Sequence, residues 1–188
     1  LGIPGRHKVM NALAAATVAM RYGMAPETVA RILASQHTIS PHRMALSTVN
    51  REGTSFTLID DSFNANPDSM KAGLNGLKAW NSNDGKEPFR VALLGAMLEL
   101  GADETALHTS IGTYADELGI DAIIAVGSAQ DQHLDALAQA LADGARQSQS
   151  ASVDCVHDID AAEQLVIDLA RNHPDAVVLL KGSHASGL

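Results

Sequence analysis

The most informative five residues of the chain are Arg90-Val91-Ala92-Leu93-Leu94, a short run that does not alternate with polar residues. An apolar run of this length is typical of a strand buried on both faces of a sheet. Similar strand-like runs occur at 44–50, 56–60, 122–126, 153–156 and 176–180. Helical patterns lie between the later runs, at 67–81, 104–118, 131–146 and 159–172. This alternation predicts an α/β fold with a mainly parallel sheet and helices on both faces.

The start of the chain has a different pattern. Residues 7–22 are rich in alanine and are followed by Gly23, and a second helical pattern begins at Pro26. The polar segment 37–42 then separates helical from strand-like sequence. We therefore predict two helices in residues 1–39 and a sheet domain in residues 40–188. Within that domain, the first two strands are expected to form a hairpin.

Composition excludes several classes of protein. The 188 residues have a formal net charge of -9 and are 46% hydrophobic, which suits a folded domain and argues against nucleic acid as a partner. Cys155 is the single cysteine, which fits a reducing compartment. The chain has no apolar run long enough to span a membrane and no signal segment at its start. We expect a cytoplasmic protein without a membrane span.

Polar residues follow most of the predicted strands, at the sheet edge where ligands collect in open parallel sheets. These segments are 60–70, 95–101, 127–128 and 181–184. The pattern predicts a ligand-binding rim. The sequence has no glycine-rich phosphate loop of the G-x-x-x-x-G-K-[ST] type and no histidine spacing typical of a metal site.

Individual rim residues leave two interpretations open. Asp61 suits a ribose or a metal-bound phosphate, but from the residues alone a helix cap or a brace for the turn that follows is favoured. Lys181 with Gly182 and Ser183 suits an anion at a helix N-terminus, or is an ordinary lysine at a strand end. His108 either touches a ligand at the rim or is a satisfied, partly buried histidine.

Four motifs follow one another along the whole chain. They are Pro4-Gly5-Arg6-His7 with residues 11–15, then residues 60–70, 94–101 and 179–183. In this order they resemble the Mur ligases. The run Asp61-Ser62-Phe63-Asn64-Ala65-Asn66-Pro67 resembles the branch of that family that adds D-alanyl-D-alanine to UDP-N-acetylmuramoyl-tripeptide in peptidoglycan synthesis.

The resemblance implies a domain organisation and a reaction. Residues 1–39 would be the helical end of a central ATPase domain, and residues 40–188 a C-terminal Rossmann-like ligase domain. The phosphate loop, the magnesium ligands and a modified lysine would lie upstream of Leu1. The implied cofactors are ATP and Mg²⁺, bound mainly by that upstream part. The chain would contain no catalytic or metal-binding residue and would be inactive alone.

The resemblance also implies binding residues. On the nucleotide side, it points to Asn11 for adenine with His7 in the same motif, Arg43 for ribose, and Asp61 for the ribose and phosphate side with Phe63 and Asn64 beside it. On the substrate side, it points to Asn66, Lys181, Ser183 and Ser186. In this interpretation, Lys181 or Ser186 meets the carboxylate of the dipeptide.

The chain departs from the family pattern at several positions. Lys8 stands in place of a second asparagine, Ala96 in place of an aspartate, and His184 in place of an arginine, and residues 40–42 differ from a frequent Pro-Gly. These changes leave the fold expectation intact but alter charge at the rim. Two alternatives stay open: another Mur or folylpolyglutamate-type ligase, and a stand-alone Rossmann-like binding module. If residues 7–36 are a domain remnant, their apolar face is expected to be partly exposed.

Overall fold

The computed structural model describes residues 6–36, 42–81, 85, 87–147 and 151–188. The chain divides into two compact units, one ending at Arg43 and the other running from Met44 to Leu188. The boundary predicted after residue 39 falls in 37–41, outside the described residues, so that domain division stays a prediction.

The first unit contains helices α1 (Arg6–Arg21) and α2 (Pro26–Ser35). Gly23 ends the first helix with φ of 90°, and the Met24 N–H donates to the Ala19 carbonyl at 3.0 Å. This left-handed ending is typical of glycine after a helix. Several apolar side chains of α1 are exposed, Met10 with 69% of its surface. The expectation of a partly exposed apolar face is confirmed.

The second unit alternates strands and helices in the predicted order. Its strands are β1 (Ala45–Arg51), β2 (Thr54–Asp60), β3 (Arg90–Leu94), β4 (Ala122–Val126), β5 (Ser152–Val156) and β6 (Val177–Lys181). Its helices are α3 (Pro67–Lys78), α4 (Glu104–Glu117), α5 (Gln132–Ala145) and α6 (Ile159–Asn172). Short 3₁₀ turns lie at Gly101–Asp103 and His184–Ser186.

The strands form a single sheet in the order β1-β2-β6-β3-β4-β5. Only β1 is antiparallel to its neighbour, and it forms the predicted hairpin with β2. The hairpin turn is Glu52-Gly53, with φ of 47° and 78°. Two successive left-handed residues match the twist of a two-residue hairpin. The mainly parallel sheet is confirmed.

Helices cover both faces of the sheet, as predicted. Helices α3, α4 and α5 bury residues such as Leu74, Ile111 and Leu141 against one face. Helix α6 buries Ala162 and Val166 against the other. Among the described residues, no helix combines the length and the apolar character needed to cross a membrane.

Candidate functional site at the carboxyl edge of the sheet

The strand order places β6 between β2 and β3, so the carboxyl ends of these three strands lie side by side. Just beyond β2, the Asp61 N–H donates to the Leu180 carbonyl at 2.8 Å. Just beyond β3, the Gly95 N–H donates to the Lys181 carbonyl at 2.9 Å. The loop after β2 and the segment after β3 therefore flank the end of β6, which agrees with the predicted rim.

Lys181 is the central charged residue of this edge. Only 1% of the residue is exposed, and its Nζ donates to Asp61 Oδ2 at 2.6 Å and to the Asn64 carbonyl at 3.1 Å. Its aliphatic stem passes Gly73 of α3, where a Cβ atom would lie 2.9 Å from Lys181 Cδ. The interpretation of Lys181 as an ordinary exposed lysine is therefore wrong.

Asp61 is held from two directions. Its Oδ2 pairs with Lys181, and its Oδ1 accepts a hydrogen bond of 3.1 Å from the backbone N–H of Met44. Its side chain is 18% exposed, so the carboxylate still reaches the surface. Asp61 thus braces the loop after β2 while presenting a fixed acceptor, a geometry suited to a hydroxyl donor.

The cap of the following helix is provided by Asn66. Its side-chain oxygen accepts from the Ser69 N–H at 2.8 Å, and the Ser69 hydroxyl accepts from the Asn66 N–H at 3.0 Å. This reciprocal pair is a capping box, with Pro67 at the start of α3. The alternative in which Asp61 caps this helix is therefore wrong. The side-chain nitrogen of Asn66 is not used by the cap and can donate to a substrate.

The remaining residues of this loop differ in exposure. Asn64 Oδ1 accepts from the Ala65 N–H at 2.8 Å, while Phe63 is exposed. Asp60 accepts from the Ser62 hydroxyl at 2.7 Å, and Ser62 is buried. The loop is therefore well ordered by its own polar contacts, and the Phe63 ring is left at the surface.

The segment after β6 folds back toward the end of β3. The Ser183 N–H donates to the Ala96 carbonyl at 2.9 Å, and the Ser186 hydroxyl donates to the Ser183 carbonyl at 2.5 Å. Both serines are buried. A short 3₁₀ turn at His184–Ser186 follows in the described residues.

His108 is an internal residue rather than a rim ligand. It is fully buried, its Nε2 accepts from the Met97 N–H at 2.9 Å, and its Nδ1 lies 2.7 Å from the Glu104 carbonyl. Because that carbonyl can only accept, Nδ1 carries the proton. Burial lowers the pKa of His108, since desolvation disfavours the charged imidazolium. The interpretation of His108 as a satisfied histidine is confirmed.

The other predicted nucleotide residues belong to the first unit. His7 lies in α1, but its side chain is outside the described part of the structure. Asn11 follows one turn later in the same helix and is exposed. Arg43 is also exposed and ends this unit. The three therefore stay separate predictions, beside the Asp61, Asn64 and Lys181 cluster of the second unit.

The rim does not fit a magnesium site. Across the described ranges, no three His, Cys, Asp or Glu side chains are grouped to hold a metal ion. Mg²⁺ is usually bound through carboxylate oxygens, and Asp61 already bonds to Lys181 and Met44. No step through a metal is therefore assigned to the described residues.

Sequence and structure comparisons identify related proteins. The family model for the Mur ligase, glutamate ligase domain matches residues 42–184. The UDP-N-acetylmuramoyl-tripeptide–D-alanyl-D-alanine ligase of Mycobacterium tuberculosis is 39% identical over 194 residues, covering 100% of this chain and 37% of the relative. The Escherichia coli ligase of the same name is 34% identical over 127 residues, covering 68% of this chain and 26% of the relative.

A solved structure supports the same relationship. A crystal structure of MurF from Acinetobacter baumannii has a TM-score of 0.74 and 26% sequence identity, and it covers 97% of this chain and 36% of that one. The chain thus spans little more than a third of the length of its relatives. Since the family model matches most of the chain, the chain belongs to the Mur ligase family.

Proposed function

We propose that the chain is the C-terminal part of an ATP-dependent ligase that adds D-alanyl-D-alanine to UDP-N-acetylmuramoyl-tripeptide in peptidoglycan synthesis. The observation that carries this proposal is the 39% identity, over all of this chain, to a mycobacterial ligase of that name. The ordered rim around Asp61 and Lys181 supports it, because it offers fixed polar groups where open α/β sheets bind ligands.

The proposed reaction forms an amide in two steps. A terminal carboxylate of the tripeptide takes the γ-phosphoryl group of ATP, which leaves ADP and an acyl phosphate. The amine of D-alanyl-D-alanine then attacks the acyl carbon, the C–N bond forms, and inorganic phosphate leaves. Chemistry of this kind depends on positioning and on neutralising phosphoryl charge. The chain's own part in it is to bind and orient.

The residue roles belong to the same proposal. On the nucleotide side we assign adenine to Asn11 with His7 in the same motif, ribose to Arg43, and the ribose and phosphate side to Asp61, with Phe63 and Asn64 beside it. On the dipeptide side we assign Asn66, Ser183 and Ser186, with Lys181 beside them at the end of β6. Among the latter, the capping contacts of Asn66 and the burial of both serines restrict which atoms remain for a substrate.

The phosphate loop and the Mg²⁺ site are proposed to lie in a part of the ligase outside this sequence. This follows from the missing glycine-rich loop and from a rim that does not fit a metal. The isolated chain is then inactive. A cytoplasmic location is proposed with it, since the lone Cys155 fits a reducing compartment.

The test is an assay of the full-length protein with ATP, Mg²⁺, the muramoyl tripeptide and D-alanyl-D-alanine. We expect ADP release together with a product heavier by the dipeptide. Single amino acids are offered in competition with D-alanyl-D-alanine. Preference for one of them would indicate another Mur or folylpolyglutamate-type ligase. Turnover by this chain alone would contradict the proposal that the phosphate loop and the Mg²⁺ site lie outside this sequence.

The coding sequence itself provides a second check. An ATPase domain of ordinary size predicts a glycine-rich lysine-threonine loop roughly 170 residues upstream of Leu1. A reading frame that lacks this loop would favour the stand-alone binding module.

A further inference from the structure

The burial of Lys181 requires a physical explanation. Lysine is rarely buried without a partner, because removing an ammonium group from water is unfavourable. With 1% of the residue exposed, its Nζ is satisfied by Asp61 at 2.6 Å and by the Asn64 carbonyl at 3.1 Å. Both partners lie in the loop after β2. The lysine at the end of β6 therefore ties that loop to the neighbouring strand.

Gly73 in α3 is the second, independent observation. Glycine in a helix interior is less favourable than alanine, so its presence there needs a reason. A Cβ at this position would lie 2.9 Å from Lys181 Cδ and 3.5 Å from Lys181 Cε. Because the ammonium is anchored beyond these atoms, the stem cannot simply swing away. Gly73 thus leaves open the passage that the lysine stem occupies.

We infer that Lys181 is a positioning residue, which acts on a bound nucleotide by holding Asp61 and Asn64 and which depends on Gly73 for its path. The inference rests on the proposed function, in which Asp61 and Asn64 belong to the nucleotide side. It replaces direct contact with the dipeptide carboxylate as the role of Lys181. Asp61 and Asn64 use two of the three ammonium N–H groups, and with 1% of the residue exposed the third has almost no access to a ligand.

The pairing also gives Asp61 a property that a nucleotide site needs. A bare carboxylate repels phosphate, whereas a carboxylate paired with an ammonium is neutral as a unit. Asp61 keeps its acceptor oxygens fixed by Lys181 and by the Met44 N–H. Such an oxygen can accept a hydrogen bond from a ribose hydroxyl, and the paired carboxylate does not repel the neighbouring phosphate. Loss of Lys181 would remove both the orientation and the charge compensation.

The contact is tested on this chain alone by reductive methylation of lysine amines, followed by mass spectrometry. We expect Lys181 to be protected, while the exposed Lys71 reacts and serves as the internal reference. Asp61→Asn and Gly73→Ala should each raise the reactivity of Lys181. The matched control is Gly76→Ala in the same helix, where a Cβ would meet only the Met44 Cε methyl at 3.4 Å. Equal methylation of Lys181 and Lys71 in the unchanged chain would overturn the inference.

The functional arm uses steady-state kinetics of the full-length ligase. Lys181→Met keeps the aliphatic stem and removes the charge. It should raise the KM for ATP on the order of tenfold, which corresponds to an interaction energy typical of residues in contact. In an Asp61→Asn background the same change should have little further effect. A rise in the KM for D-alanyl-D-alanine alone would show direct substrate contact instead.

The positioning role of Lys181 and the proposed function can be tested separately. Thermal unfolding of each variant identifies a folding defect. If Lys181→Met is destabilised, the KM for ATP is compared between Gly73→Ala and Gly76→Ala instead. If the unchanged full-length protein shows no turnover, the proposed function fails. The methylation result still decides whether Lys181 is held by Asp61.

Discussion

The Nε2 atom of His108 accepts a hydrogen bond of 2.9 Å from the backbone N–H of Met97. His108 lies on α4, and Met97 lies in the segment after β3 that reaches the rim. The bond requires a neutral imidazole, because a protonated ring has no acceptor. The position of this rim segment is therefore linked to the protonation of a buried histidine.

This link predicts a stability that falls on acidification. Burial lowers the pKa of His108 in the folded chain below its ordinary value of 6.5, so the unfolded chain binds the proton more readily. The stabilisation is present above that ordinary value and is lost as the pH falls toward the folded pKa. Between about pH 7.5 and about pH 5.5, His108 should therefore lower the stability of the folded chain.

Urea unfolding at the two pH values measures this contribution. His108→Gln retains a side-chain acceptor that does not titrate, and its stability should fall by less over the same interval. The difference between the two proteins isolates His108 from the other ionisable groups. If both lose the same stability, His108 is not the responsible group.

Helices α4 and α5 make a close backbone contact that predicts a strong packing defect. A Cβ at Gly112 would lie 1.9 Å from the Leu141 carbonyl oxygen, and one at Gly144 would lie 2.0 Å from the Thr109 carbonyl oxygen. Because these atoms belong to helix backbones, the helices themselves would have to separate. Gly112→Ala should reduce the free energy of unfolding by about 3 kcal/mol.

The comparison is with Gly76→Ala, measured by the same urea unfolding. Its Cβ would meet only a flexible methionine methyl at 3.4 Å, so we expect no loss and a gain of up to about 1 kcal/mol from helix propensity. A similar loss in both variants would mean that the α4–α5 contact is not the cause.

Arg90 predicts a third effect, far from the rim. Its buried guanidinium donates to the Leu77 carbonyl at 3.3 Å and to the Trp80 carbonyl at 3.1 Å. The Leu77 carbonyl lies in the last turn of α3 and Trp80 follows just after the helix, where a cation also interacts well with the helix dipole. Arg90→Met should therefore lower the free energy of unfolding by about 2 kcal/mol, because hydrogen bonds from a charged group are lost in the interior.

Arg171 provides the control for this substitution. It pairs with Glu52 and with Asp168, but on the surface. Arg171→Met should lower the thermal stability much less, by under about 1 kcal/mol. Equal destabilisation by the two substitutions would argue against the helix-end role of Arg90.

The sheet was predictable from sequence because its signals are local. The run at Arg90–Leu94 is buried throughout, and helix α6 (Ile159–Asn172) coincides with its predicted bounds. Helix α3 ends at Lys78, earlier than the predicted residue 81. The Leu77 carbonyl in its last turn accepts from Arg90, a residue outside the helix, and helical periodicity alone does not include such a contact.

The position of the polar rim was predictable from the sequence, but the contacts within it were not, and the binding roles of its residues stay predictions. Polar residues after the strands indicated the rim, whereas the pair of Lys181 with Asp61 joins positions 120 residues apart. That pair depends on β6 lying between β2 and β3, and strand order is a non-local property. The only local signal for the buried lysine was a glycine, Gly73, inside a helical pattern.

Asn66 predicts a separation of structural and binding roles. Its side-chain oxygen caps α3 by accepting from the Ser69 N–H at 2.8 Å. Asn66→Ala removes the cap and should lower the free energy of unfolding by about 1 kcal/mol. Asn66→Asp keeps a capping oxygen next to the positive end of the helix and should leave stability nearly unchanged.

In the full-length ligase, Asn66→Asp tests the binding role of Asn66 apart from its capping role. Asn66→Asp replaces the side-chain nitrogen, which we propose donates to the dipeptide, with a second oxygen that repels a carboxylate. The KM for D-alanyl-D-alanine should rise about tenfold or more, since a donor is lost and a like charge is introduced. An unchanged KM in a variant of normal stability would restrict Asn66 to its capping role.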